Sequence, residues 1–122
     1  MEYYINKTLK AEFDEALQLI TNALKEEGFG VLSEIDIQGK LKEKLGVDFR
    51  RYTILGACNP PYALKALQQE DKIGTMLPCN VIVQELNDDL IEVAAVDPKA
   101  SMIAVENEQL LHIVEEIREK LE

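Results

Sequence analysis

The sequence predicts an α+β fold, a two-layer sandwich with helices on one face of a mainly antiparallel sheet. Three observations carry this expectation. Two long amphipathic helical patterns lie near either end of the chain. The segments Cys79 to Leu86 and Leu90 to Val96 are β-prone runs separated by Asn87-Asp88-Asp89, which reads as a hairpin. The full order is β-α-β-(α)-β-(α)-β-β-α, so one sheet can bury one side beneath its helices.

Each element follows from its residues. Glu2 to Ile5 is a short β-prone run. From Leu9 to Glu27, Phe13, Leu17, Ile20 and Leu24 recur at spacings of four, three and four, the period of an apolar helical stripe. Thr8 is the expected N-cap, and Gly28 supplies the left-handed stop. Phe29 to Ile37 alternates with period two. Phe29, Val31, Ser33, Ile35 and Ile37 are assigned to one face, and Leu32, Glu34 and Asp36 to the other. Gln38 to Leu45 reads as a short charged helix ended by Gly46, and Tyr52 to Cys58 as a strand. Asn59 and Pro60 suit the N-cap and first position of a helix reaching Gln69. The last helix is expected from Asn107 to Leu121, with Leu110, Val114, Ile117 and Leu121 turned inward.

The sheet face away from the helices would then hold Glu34, Asp36, Asn80, Ile82, Gln84, Glu92, Ala94 and Val96. That set is too apolar for open water and too polar for a second core. Partial cover by a second subunit resolves the conflict, so a homodimer is expected. If that face serves dimerisation alone, charges placed at Ile82 and Val96 would separate the subunits.

Composition removes several functional classes. The 122 residues suit one domain, read here as 1–122, and no linker, repeat or low-complexity tract divides them. A net charge of −10 opposes binding to nucleic acid or an anionic membrane surface. Aromatic residues make up 6% with no tryptophan, which leaves little for stacking bases. No window approaches the ~20 apolar residues of a membrane helix. The opening MEYYINKTLK lacks the pattern of a secretory signal, so a cytoplasmic location is expected. Two cysteines and one histidine cannot complete a four-ligand zinc site of the usual kind, and no metal is assigned. No phosphate loop, GxSxG or HExxH signature occurs and no catalytic constellation is recognisable, so enzymatic turnover and any cofactor stay open at this point.

The most informative local feature is a repeated Cys-Asn, in Cys58-Asn59-Pro60-Pro61 and Pro78-Cys79-Asn80. If the strand ending at Cys58 runs antiparallel to the one starting near Cys79, both cysteines fall at one end of the sheet. The hairpin returns Asp97 to that end. Cys58, Asn59, Cys79, Asn80 and Asp97 therefore form the candidate ligand-binding set of a small-ligand or partner-binding module. The alternative is thiol chemistry (redox, sulfur transfer or a soft metal) on Cys58 and Cys79, since Cys58 precedes a helix N-terminus that favours a thiolate. Each residue also has a structural role open to it. Cysteines at strand ends pack as small buried hydrophobes, asparagines cap turns, and Asp97-Pro98 ends a strand. Glu34 and Asp36, two apart on a strand, form a weaker candidate pair for a cation or for acid–base work. His112 stands without partners at the margin of the last helix, and Arg50-Arg51 suffices for one small anion at most.

The segments GFGVLSEIDIQGKLKEKLGVDFRRYTILGACNPPYALKAL and IGTMLPCNVIVQEL…IEVAAVDPKASM resemble the DUF302 family of small prokaryotic proteins of unknown function. The resemblance runs from about Tyr4 to Ile117 and is densest in LGACNPP, LPCNV and VDP. The family pattern also matches Phe29, Gly30, Glu34, Asp36 and Tyr52. The resemblance implies a TBP-like arrangement of helices on a curved antiparallel sheet, and a homodimer. It implies no reaction.

Overall fold

The computed structural model describes residues 3–97 and 115–120. Five antiparallel strands, β1 (Tyr4–Lys10), β2 (Gly30–Asp36), β3 (Tyr52–Cys58), β4 (Cys79–Asn87) and β5 (Leu90–Val96), form one sheet in the order β1-β5-β4-β3-β2. The expected α+β arrangement is the observed one. Helix α1 (Phe13–Glu26) joins β1 to β2, α2 (Ile37–Leu45) joins β2 to β3, and α3 (Pro60–Gln69) with a 3-10 turn (Asp71–Met76) joins β3 to β4.

Burial divides the sheet cleanly. Leu55 and Ala57 of β3, Val81 and Val83 of β4, and Ile91 and Ala95 of β5 meet Phe13, Ala16 and Leu24 of α1 in one core. Leu17, Ile20 and Ile117 pack partly against it, so α1 and the helical residues 115–120 cover the same face. The rest of the last helix expected by sequence, with His112, Leu110, Val114 and Leu121, lies outside the described residues.

Helix α1 ends as its sequence demands. Gly28 takes φ +86°, the Gly28 N–H donates to the Lys25 carbonyl at 3.1 Å, and the Phe29 N–H donates to Leu24 at 2.8 Å. This is the paired bonding of a Schellman motif, completed by the buried side chains of Leu24 and Phe29. The start of the helix differs from the sequence expectation. Thr8 lies inside β1 opposite Glu92, and Glu12 occupies the N-cap without a side-chain hydrogen bond. Arg51 steadies this end instead. Its guanidinium stands 4.3 Å from the centre of the Phe13 ring, and Nη2 donates to Asp14 at 2.8 Å.

Strand β2 also departs from simple alternation. Val31 pairs with Ala57 but Ser33 pairs with Gly56, so Leu32 is an extra residue in a bulge. One extra residue reverses every later side chain. Glu34 and Asp36 therefore oppose Leu55 and Thr53 on the helix side, while Ser33 and Ile35 join the open face. The expectation that placed the two acids on the open face is corrected. Asp36 is also a helix cap, its Oδ1 accepting from the Gly39 N–H at 3.1 Å.

Candidate functional site

The register defines the open face row by row. Ser33, Gly56, Asn80, Val96 and Tyr4 form one line across the five strands. Ile35, Ile54, Ile82, Ala94 and Asn6 form the next, followed by Tyr52, Gln84, Glu92 and Thr8. The sheet leaves no room for a side chain at Gly56. A Cβ there would overlap Ser33 Oγ and come within 2.9 Å of Pro78 Cγ.

A cavity of about 420 Å³ lies over the centre of this face. Ile82, Ala94 and Val96 give it an apolar floor, Asn80, Gln84 and Glu92 its polar groups, and Tyr3, Tyr4 and Tyr52 its aromatic lining. Tyr4 and Tyr52 stand at diagonal corners, three strand spacings and two rows apart, roughly 20 Å between backbones. Tyr3 and Tyr4 meet edge to face, with centroids 5.1 Å apart.

A chain of side-chain hydrogen bonds crosses the lower row. Arg50 Nε donates to Gln84 Oε1 at 2.8 Å, Gln84 Nε2 to Glu92 Oε1 at 2.7 Å, and Asn6 Nδ2 to Glu92 Oε2 at 2.9 Å. The order is self-consistent. An amide that accepts from Arg50 must present its NH2 to the carboxylate. Arg50 is itself placed 4.3 Å from the centre of the Phe49 ring.

The five residues expected to converge do share one end of the sheet, where β3 and β5 finish and β4 begins, but they divide between its faces. Cys79 pairs with the fully buried Ala57 and faces the helices, whereas Cys58, next along β3, projects to the open side. Asn80 is exposed on the open face and lines the cavity. Asn59 is buried at the start of α3, where its amide would lie 3.2 Å from a Cβ placed on Gly28. It makes no side-chain cap hydrogen bond. Asp97, 6% exposed, accepts from Arg118 Nε at 3.0 and 3.2 Å through its two oxygens and so ties residues 115–120 to the sheet. Pro98 lies outside the described residues.

Both cysteines are free thiols. Burial, with a smaller contribution from Cys58, pushes the Cys79 thiol up to about 11. The thiolate is the nucleophile, so Cys79 in the folded Cys58→Ser protein, which keeps the burial but loses the smaller contribution, should alkylate at least about tenfold more slowly than an ordinary thiol near pH 8. Timed iodoacetamide labelling read by mass spectrometry checks this, and labelling at the unfolded rate would contradict it. The same shift makes folding pH-dependent. The unfolded thiol ionises near 9.0 and the folded one near 11, so stability present below pH 9 is lost as pH rises between these values.

Among the described residues, no group of three His, Cys, Asp or Glu side chains is placed to hold a metal ion. None of the described helices is long and apolar enough to cross a membrane. The sequence pointed to the cysteine end; Arg50 was weighed only for a small anion, Tyr52 stood only as a position of the family pattern, and Tyr3, Tyr4 and Asn6 were not singled out as site residues. The available signal was the recurrence of Asn80, Gln84 and Glu92 at even spacing within otherwise apolar strands.

The wider comparisons agree with this architecture. The crystal structure of an uncharacterized conserved DUF302 protein from Bacillus stearothermophilus superposes with a TM-score of 0.91 at 27% sequence identity, over 99% of this chain and 94% of that one. No curated protein matches the chain. The model of the domain of unknown function DUF302 matches residues 5–122. The chain belongs to the DUF302 family.

Proposed function

We propose that this protein is a cytoplasmic, homodimeric module that binds a small ligand on the open face of its sheet. The observation that carries this reading is the cavity of about 420 Å³, a size typical of small-molecule sites. An apolar floor with a few oriented polar groups is the usual composition of such sites, and the Arg50–Gln84–Glu92–Asn6 chain provides the orientation. The site lies beside the cysteine end, sharing Asn80 with the set proposed from sequence. Thiol chemistry draws less support, because Cys58 and Cys79 project to opposite faces and burial keeps Cys79 protonated.

The dimer is supported by apolar side chains left in water away from the cavity. Leu64 and Leu67, three apart on α3, are 58% and 41% exposed, and Met76 of the adjoining turn is 39% exposed. Sedimentation should return the mass of two chains. A thermal-shift screen of small metabolites should give stabilising compounds whose effect disappears in Ala94→Trp, which fills the cavity floor. A screen without hits, or hits retained in that variant, removes the ligand-binding reading.

A further inference from the structure

Resting on that reading of the open face, we propose that its ligand is a cation, an amine or quaternary ammonium group carried on an apolar or aromatic body. Glu92 is the only carboxylate among the described residues lining the cavity, and it is half-buried there. Both its oxygens are held by neutral amides, Asn6 on one side and Gln84 on the other. Neutral donors fix a carboxylate without cancelling its charge. Each oxygen keeps acceptor capacity after one hydrogen bond. Arg50, the nearest cation in the chain of bonds, contacts Gln84 and not the carboxylate, so it orients Glu92 through the amide.

The rest of the lining suits the same ligand. Tyrosine rings attract a cation placed over their faces, and three of the cavity's lining residues are tyrosines. Ile82, Ala94 and Val96, all partly exposed, offer an apolar surface for the ligand's body to cover beside the charge contact. An anion would meet Glu92 and the field of a chain with net charge −10. A neutral ligand would cover the half-buried carboxylate without supplying a counter-charge.

Four probes of similar shape separate these cases: benzylamine, benzyltrimethylammonium, benzyl alcohol and benzoate. Each is titrated into the full ¹⁵N-labelled chain, following the amides of Asn80, Ile82, Gln84, Glu92 and Ala94. The two cations should shift these amides and bind about tenfold more tightly than benzyl alcohol, with benzoate weakest. Glu92→Gln, of the same shape and checked for an unchanged spectrum elsewhere, should bring the cations down to the level of the alcohol. Tyr52→Leu should weaken the cations more than the alcohol. If the alcohol or benzoate binds as well as the cations, or if Glu92→Gln keeps the preference, the cation assignment falls while the ligand face stands. If no probe moves these amides, both fall.

Discussion

Leu55→Ala is expected to lower the unfolding free energy by about 3–4 kcal/mol, within the range measured for large-to-small core changes. Leu55 is 1% exposed and lies on β3, with β2 and β4 hydrogen-bonded on either side. Glu34 and Val81 are its register partners, and α1 closes the core over the strand. With neighbours held by strand pairing on both sides, the site has little freedom to collapse, so most of the cavity cost is retained. Against a total of about 5–15 kcal/mol for a typical domain, the loss is large. Urea denaturation should show a lower midpoint with an unchanged slope. A loss under about 1 kcal/mol would mean that the layers close up after truncation, contrary to the packing described here.

The second large effect is expected at Arg118. Replacing it by methionine keeps the stem and removes the guanidinium from both oxygens of the buried Asp97. Breaking a fully buried pair costs about 3–5 kcal/mol. The Arg118 side chain is 37% exposed, so solvent screens the charge and about 2–3 kcal/mol is expected. Adding Asp97→Asn should restore part of the loss, because a neutral amide is cheaper to bury than a carboxylate that has lost its guanidinium. The double-mutant cycle isolates this coupling. Additive losses would show that the two groups contribute independently.

The sequence and the structure agree where one local rule acted alone. β3 runs from Tyr52 to Cys58 as expected, and α3 runs from Pro60 to Gln69 with Pro60 at its start, although Asn59 at the N-cap makes no side-chain hydrogen bond. The end of α1 at Gly28 was legible because glycine adopts a positive φ at little cost. Thr8 misled because a good capping residue is also β-branched and at home in a strand, and pairing with β5 decided the matter. The faces of Glu34 and Asp36 were illegible because a bulge leaves no composition of its own. Leu32 looks like any other alternating residue until its partner strand is known. The candidate site was half legible for a similar reason. Topology brought the two Cys-Asn pairs to one end of the sheet, but adjacent residues in a strand face opposite ways. The cavity combines residues from β1, β3, β4 and β5, and no single stretch of sequence holds enough of it to stand out.

The bulge at Leu32 also bears on how the sheet avoids open-ended growth from one molecule to the next. β2 is a sheet edge, and its Leu32 and Ile35 are 70% and 41% exposed. A flat, regular edge of that composition would template the addition of further strands. The irregular step between Val31 and Ser33 twists the edge out of register with any straight partner, and Glu34 and Asp36 add charge beside it. The same extra residue that turns Ile35 outward therefore guards against the runaway sheet growth that an exposed isoleucine invites.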